Sequence, residues 1–227
     1  MSVDSKQLRV PIARLARLRV VPVAVVADAA TAAPLGAALK AGGLPCVEVT
    51  FRTPAAMTAL SVLAEDPDLL VGAGTVTRAE QVEPAVAAGA QFVVSPGFSP
   101  SVVAACQELG IPVLPGAATA TEVLMALDAG LNCVKFFPAE ASGGLPALSA
   151  LSAPYGDVGF VPTGGITPDT LPAYLAHPAV LAVGGSWMVA PKLLAAHRFD
   201  EITRLTEAAM SLAHPDGAPP QREVVGR

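Results

Sequence analysis

Residues 20–27 read VVPVAVVA, and the reading of this run decides the fold. Arg9, Arg14, Arg17 and Arg19 precede it, an arrangement that loosely imitates a secretory signal. Two features point elsewhere: Pro22 interrupts the run and Asp28 ends it. Short, rich in valine and sharply bounded, it reads as a buried strand. The turn that follows, VADAATAAPLG (26–36), lacks the glycine fingerprint that opens a doubly wound dinucleotide-binding sheet. No stretch of the chain reaches the uninterrupted apolar length that a membrane span requires, so no membrane partner is expected.

The run is the first of eight. CVEVTF (46–51), LLVGAGTV (69–76), FVVSPG (92–97), IPVLPGA (111–117), CVKFFPA (133–139), VGFVPTGG (158–165) and LAVGGSW (181–187) follow it at intervals of roughly 20–25 residues. Between them lie alanine-rich helical stretches such as TAAPLGAALKAGG (31–43), RAEQVEPAVAAGA (78–90) and ATEVLMALDAG (120–130). Several end near Gly, which tolerates the left-handed backbone of a helix stop. Pro54, Pro100 and Pro168 sit near helix starts, where a missing N–H does least harm. Eight strands alternating with helices predict an α/β fold, a single-domain (β/α)8 TIM barrel over residues 1–213. Segment 1–19 is expected to form a helix closing the barrel bottom, and 214–227 a loose C-terminal tail.

Composition agrees with extensive burial: 52% of the 227 residues are hydrophobic and only 15% charged, so most elements should be covered on both faces. A net charge of −5, with Trp187 the single tryptophan, argues against a nucleic-acid partner, which wants a basic surface. Cys46, Cys106 and Cys133 form no C-x-x-C pair and read as small buried hydrophobes in a reducing compartment, so the protein is expected to be cytoplasmic. His177, His197 and His214 all fall away from strand ends and read as surface residues. With no carboxylate and histidine cluster to assemble, no metal site is expected.

In a (β/α)8 barrel the chemistry sits at the carboxyl ends of the strands. The second strand alternates Val47, Val49 and Phe51 with Glu48, Thr50 and Arg52, and the apolar set should face the helices. Glu48, Thr50 and Arg52 then point inward. The stretch NCVKFFPAE (132–140) sets Lys135 among Val134, Phe136 and Phe137, although the chain has only four lysines and places the other three in polar or helical contexts. An ammonium there costs several kcal/mol unless it is paired or sheds its proton. By strand parity Lys135 also points inward, with Phe137. Glu48 and Lys135 then form either a buried structural ion pair or a Schiff-base lysine with a carboxylate that moves its protons. The turns PTGGIT (162–167) and VGGSW (183–187) offer backbone N–H groups that a phosphate can approach closely. Thr75, in VGAGTVT (71–77), adds a hydroxyl suited to a carboxylate.

Taken in order, VEVTFRT, VGAGTV, FVVSPGF, VKFFPAE, PTGGI and VGGSW make about residues 15–212 similar to the bacterial 2-keto-3-deoxy-6-phosphogluconate (KDPG) aldolases, the class I aldolases of the Entner–Doudoroff pathway. The resemblance implies a (β/α)8 barrel, a homotrimer and an enzyme without cofactor that splits a phosphorylated keto acid into pyruvate and glyceraldehyde 3-phosphate. By the same resemblance Lys135 matches the Schiff-base lysine and Glu48 the general acid/base. Arg52 and Thr75 match the residues that hold the substrate carboxylate, and Pro96 and Phe137 line the pocket. Thr163 matches a pocket position, and Gly164, Gly165, Gly185 and Ser186 match the phosphate site. The motif GAATATE (116–122) is richer in alanine than is usual, and Ser142 often appears as Asn; neither touches the chemistry. By the same resemblance Thr163 leans toward the gluconate substrate over its galactonate epimer, and 4-hydroxy-2-oxoglutarate is a smaller candidate. A barrel that merely binds a phosphorylated ligand is the alternative outside enzymes, and a desolvated amine beside a carboxylate argues against it.

Overall fold

The computed structural model describes residues 5–215. Apart from His214 and Pro215, the expected loose tail lies outside the described residues. Among the described residues eight strands occur in chain order: β1 (Val20–Ala24), β2 (Cys46–Thr50), β3 (Leu70–Gly74), β4 (Phe92–Val94), β5 (Val113–Leu114), β6 (Cys133–Val134), β7 (Gly159–Phe160) and β8 (Val183–Gly185). Helix α1 (Ser5–Leu18) precedes them. Each of the first seven strands is followed by a helix: α2 (Ala32–Ala41), α3 (Ala56–Ala64), α4 (Val82–Ala87), α5 (Pro100–Glu108), α6 (Ala120–Asp128), α7 (Gly144–Ser152) and α8 (Leu171–Ala176). Two more, α9 (Pro191–Ala195) and α10 (Phe199–Ala213), follow β8. None of the described helices is long and apolar enough to cross a membrane.

All pairings are parallel. Six strands form one curled sheet in the order β5-β4-β3-β2-β1-β8, and β6 pairs with β7. Single parallel bridges, Gly116 with Lys135 and Thr163 with Gly184, link these two sets. The regular ladders are shorter than the apolar runs that announced them. Pro96, Pro115 and Pro162 follow closely on β4, β5 and β7, and a residue without an N–H cannot extend a ladder.

Every position of β2 and β3 is buried, as expected of parallel strands covered on both faces. Inside the curl, large side chains lie over glycines. Phe92 of β4 fills the space over Gly72 of β3, where a Cβ would stand 2.1 Å from the ring. Burying such a ring contributes about 2–3 kcal/mol and leaves a packed floor beneath the strand ends. On the outside, helix starts are fixed locally. Ser99 caps α5 with Pro100 in its first turn, and Thr119 with Glu122 forms a capping box on α6. Beneath the sheet, the Arg14 guanidinium of α1 donates to the carbonyls of Pro45 and Asp68, just before β2 and β3.

Candidate active site

Glu48 lies mid-ladder in β2, between Val23 of β1 and Gly72 of β3. Its carboxylate reaches toward the strand end across Gly74, where a Cβ would stand 2.3 Å from Oε1. That position must therefore be glycine if the carboxylate is to lie there. Lys135 stands just past β6. Its N–H donates to the Pro115 carbonyl and its own carbonyl accepts from Ala117, so the chain beyond β5 holds its backbone on one side. Its Nζ reaches 3.1 Å from Glu48 Oε1. Glu48 is 3% exposed and Lys135 6%, so the pair has almost no water to screen it. The Phe137 ring centroid lies 5.2 Å from Nζ, within range for its face to favour a cation. An ammonium with a single buried carboxylate partner has one short route along which to give up its proton.

The remaining predicted residues gather past the carboxyl ends of the strands. Phe137 touches the glycine turn as well as the lysine: a Cβ on Gly164 would stand 3.4 Å from its ring. Gly164, Phe137, Lys135, Glu48 and Gly74 are therefore neighbours in that order. Thr75, the next residue, is half-buried with φ 58. A β-branched residue in left-handed backbone costs on the order of 1–2 kcal/mol, the kind of strain that collects at functional sites. Thr163 is buried, and its side chain occupies the space over Gly184, where a Cβ would stand 2.2 Å from Oγ1. Gly164 and Gly165 have φ 104 and 82, and neither amide donates a hydrogen bond among the described residues. Gly185 ends β8 under the Trp187 ring, Ser186 is exposed beyond it, and Pro96 is half-buried past β4.

Two expectations need correction or refinement. The alternation that pointed Glu48 and Thr50 inward lapses at Arg52, because β2 ends at Thr50 and the chain turns. Arg52 is exposed; its N–H donates to the Thr50 carbonyl, and its guanidinium has no hydrogen-bond or ion-pair partner among the described residues. Two histidines are less exposed than surface residues usually are: His177 is half-buried and accepts from the Ala179 N–H, and burial lowers the pKa of half-buried His214. The cysteines are buried as expected, and burial pushes the Cys106 and Cys133 thiols up to about 12.

Several residues that shape the site had no place in the sequence reading. Gly74 and Gly184 make room for Glu48 and Thr163, and glycine inside a β-rich run is the signal that marks such close approaches. Gly116 likewise lets its strand pass the Pro96 carbonyl, which would stand 2.1 Å from a Cβ there. Glu140 and Tyr174 are joined by a 2.6 Å hydrogen bond, the buried Tyr174 hydroxyl donating to Oε1. Burial and the neighbouring carboxylate hold the phenol well above its usual pKa. With the two 34 positions apart, no local pattern announces this pair.

The family model for KDPG and KHG (4-hydroxy-2-oxoglutarate) aldolase matches residues 12–205. A 2-dehydro-3-deoxy-phosphogluconate aldolase from Treponema pallidum is 51% identical over 199 residues, covering 87% of this chain and 95% of that protein. Among solved structures, the KDPG aldolase of Legionella pneumophila, with pyruvate captured as a covalent carbinolamine intermediate, superposes with a TM-score of 0.85. The two are 44% identical, with 88% of this chain and 97% of that one covered. The Zymomonas mobilis enzyme with 3-phosphoglycerate gives a TM-score of 0.84 at 43% identity, covering 90% and 97%.

Proposed function

Because this chain belongs to the KDPG and KHG aldolase family, we propose that it cleaves 2-keto-3-deoxy-6-phosphogluconate to pyruvate and glyceraldehyde 3-phosphate through a Schiff base on Lys135. The observation that carries the assignment to residues is the buried 3.1 Å contact between Lys135 Nζ and Glu48 Oε1 at the strand ends. The relative with pyruvate held as a carbinolamine supports covalent chemistry of this kind, and the one with 3-phosphoglycerate supports a phosphorylated three-carbon fragment.

The reaction follows from the two groups. Lys135 passes a proton to Glu48, and its free amine attacks the C2 ketone to give a carbinolamine. Glu48 returns that proton to the carbinolamine hydroxyl, which leaves as water; a protonated imine remains, an electron sink for the C3–C4 bond, and Glu48 is again a carboxylate. The Glu48 carboxylate, directly or through one water, takes the proton of the C4 hydroxyl. The C3–C4 bond then breaks, its electrons pass into the imine, and glyceraldehyde 3-phosphate departs. The enamine left on Lys135 is protonated at C3, and water hydrolyses the imine to pyruvate and the free amine. The lysine itself supplies the sink, so the chemistry asks for no metal or organic cofactor.

In this reading the substrate carboxylate pairs with Arg52 and the Thr75 hydroxyl at the mouth. The Arg52 guanidinium is exposed and has no partner among the described residues, which suits a ligand-binding role. Pro96, Phe137 and Thr163 line the pocket. The phosphate sits on the amides of Gly164, Gly165 and Gly185, with Ser186 beside them. The fold that goes with it is a (β/α)8 barrel over residues 1–213 with α1 across its bottom. The two bridges that link the strand sets and the Arg14 contacts beneath β2 and β3 support this arrangement. We also read the assembly as a homotrimer. Leu109 at the end of α5 and Leu124 and Leu127 on α6 are exposed, which would suit a contact between copies. A solution mass of a single chain would contradict it.

Incubation with pyruvate and borohydride in the presence of a chelator is expected to fix the reduced pyruvyl adduct on Lys135, read by peptide mass. An adduct elsewhere, or none under conditions that trap a known class I aldolase, would falsify the assignment.

A further inference from the structure

We propose that Glu140 and Tyr174 are positioning residues that hold the turn at Gly164 and Gly165 with its amides toward the substrate phosphate. The proposal rests on the phosphate reading above. Across a trans peptide the carbonyl of one residue and the N–H of the next point opposite ways. The Thr163 carbonyl accepts from the Ala139 N–H at 2.8 Å, and the Gly164 carbonyl accepts from the Glu140 N–H at 3.0 Å. Both carbonyls are thereby turned onto the chain that follows Lys135. The N–H groups of Gly164 and Gly165 must then face away from that chain, and neither finds an acceptor among the described residues.

A Gly-Gly turn does not hold such an orientation by itself. Glycine populates left-handed and right-handed backbone about equally, so the peptide between the two residues can flip at small cost. A flip would aim a carbonyl oxygen at the phosphate in place of an N–H. What opposes it is Glu140. Its N–H occupies the Gly164 carbonyl, and its side chain lies against Gly165, where a Cβ would stand 2.7 Å from Glu140 Cβ. Glu140 itself is exposed and would swing freely but for Tyr174. That tyrosine belongs to α8, the helix into which the glycine turn leads, and it is 2% exposed. Its hydroxyl donates to Glu140 Oε1 at 2.6 Å, a short bond to a charged acceptor. The bonds close a circuit: Glu140 N–H to Gly164, along the chain to Tyr174, and back to the Glu140 carboxylate. Neither side chain is among those assigned to substrate contact.

Tyr174→Phe removes only the hydroxyl. The expected result is a rise of roughly tenfold in KM for the phosphorylated substrate, the scale of one lost hydrogen bond to a charged group, with kcat within about twofold. Exchange of the pyruvate methyl protons with deuterated solvent, which needs Lys135 but no phosphate, should keep its wild-type rate. Glu140→Ala should match Tyr174→Phe, and Glu140→Gln, which keeps an acceptor oxygen, should lose less. The proposal is overturned if Tyr174→Phe leaves KM unchanged, or if exchange and cleavage fall in parallel, as a general loss of structure would make them. The wild type is also assayed on the dephosphorylated substrate. Equal kcat/KM with and without phosphate would overturn the phosphate reading and this proposal together. A strong phosphate preference that the variants retain would overturn this proposal alone.

Discussion

Replacing Lys135 by alanine is expected to lower pyruvate release by roughly 10⁴-fold or more, since the electron sink of the reaction is removed with the amine. A second effect accompanies it. Glu48, 3% exposed, is left without its partner, and breaking a buried pair from one side costs about 3–5 kcal/mol. Lost activity could then be blamed on a damaged fold. The double variant Lys135→Met with Glu48→Leu removes that ambiguity, because apolar replacement of a whole buried pair is often neutral or stabilising. It is expected to recover the thermal midpoint lost in Lys135→Ala while remaining inactive. Steady-state rates and thermal unfolding of both variants decide the matter. A pair that is merely structural would give an active double variant, and the assignment of Lys135 would then fall.

Glu48→Gln is expected to lower kcat by roughly 10²–10⁴-fold, the usual contribution of a positioned acid or base. The change keeps the shape of the side chain and leaves an oxygen to accept from Lys135 Nζ across 3.1 Å, so stability should change little. What it removes is the capacity to take up a proton. Pyruvate should still be trapped on Lys135 by borohydride, more slowly than in the wild type, while cleavage nearly stops. An unaltered kcat would reduce Glu48 to a counter-ion. Gly74 bears on the same point, because any side chain there would displace the carboxylate from the space it occupies.

Both predictions concern residues visible in the sequence, and the reason is local. A strand buried on both faces is rich in β-branched residues, so eight such runs could be counted before any pairing was known. Parity then assigned directions, and for Glu48 and Thr50 it held because β2 is paired on both sides. At Arg52 parity had nothing left to act on. Strand ends, too, resist prediction: β5, β6 and β7 keep two ladder residues each where the sequence offers strand-like runs of seven or eight. Bridge geometry beyond a proline depends on the neighbouring strand, which composition does not encode.

From sequence alone came the repeat, the lysine set among phenylalanines, and the glycine turns at the seventh and eighth strands, because period and residue type are properties of short stretches. Tertiary structure alone decided what those residues meet. Lys135 and Glu48 are 87 residues apart, and Tyr174 and Glu140 are 34 apart. Separations of that size are closed by the curl of the sheet and the packing of α8 against it, and a hydrogen bond between side chains exists only once both are placed to within a few tenths of an ångström.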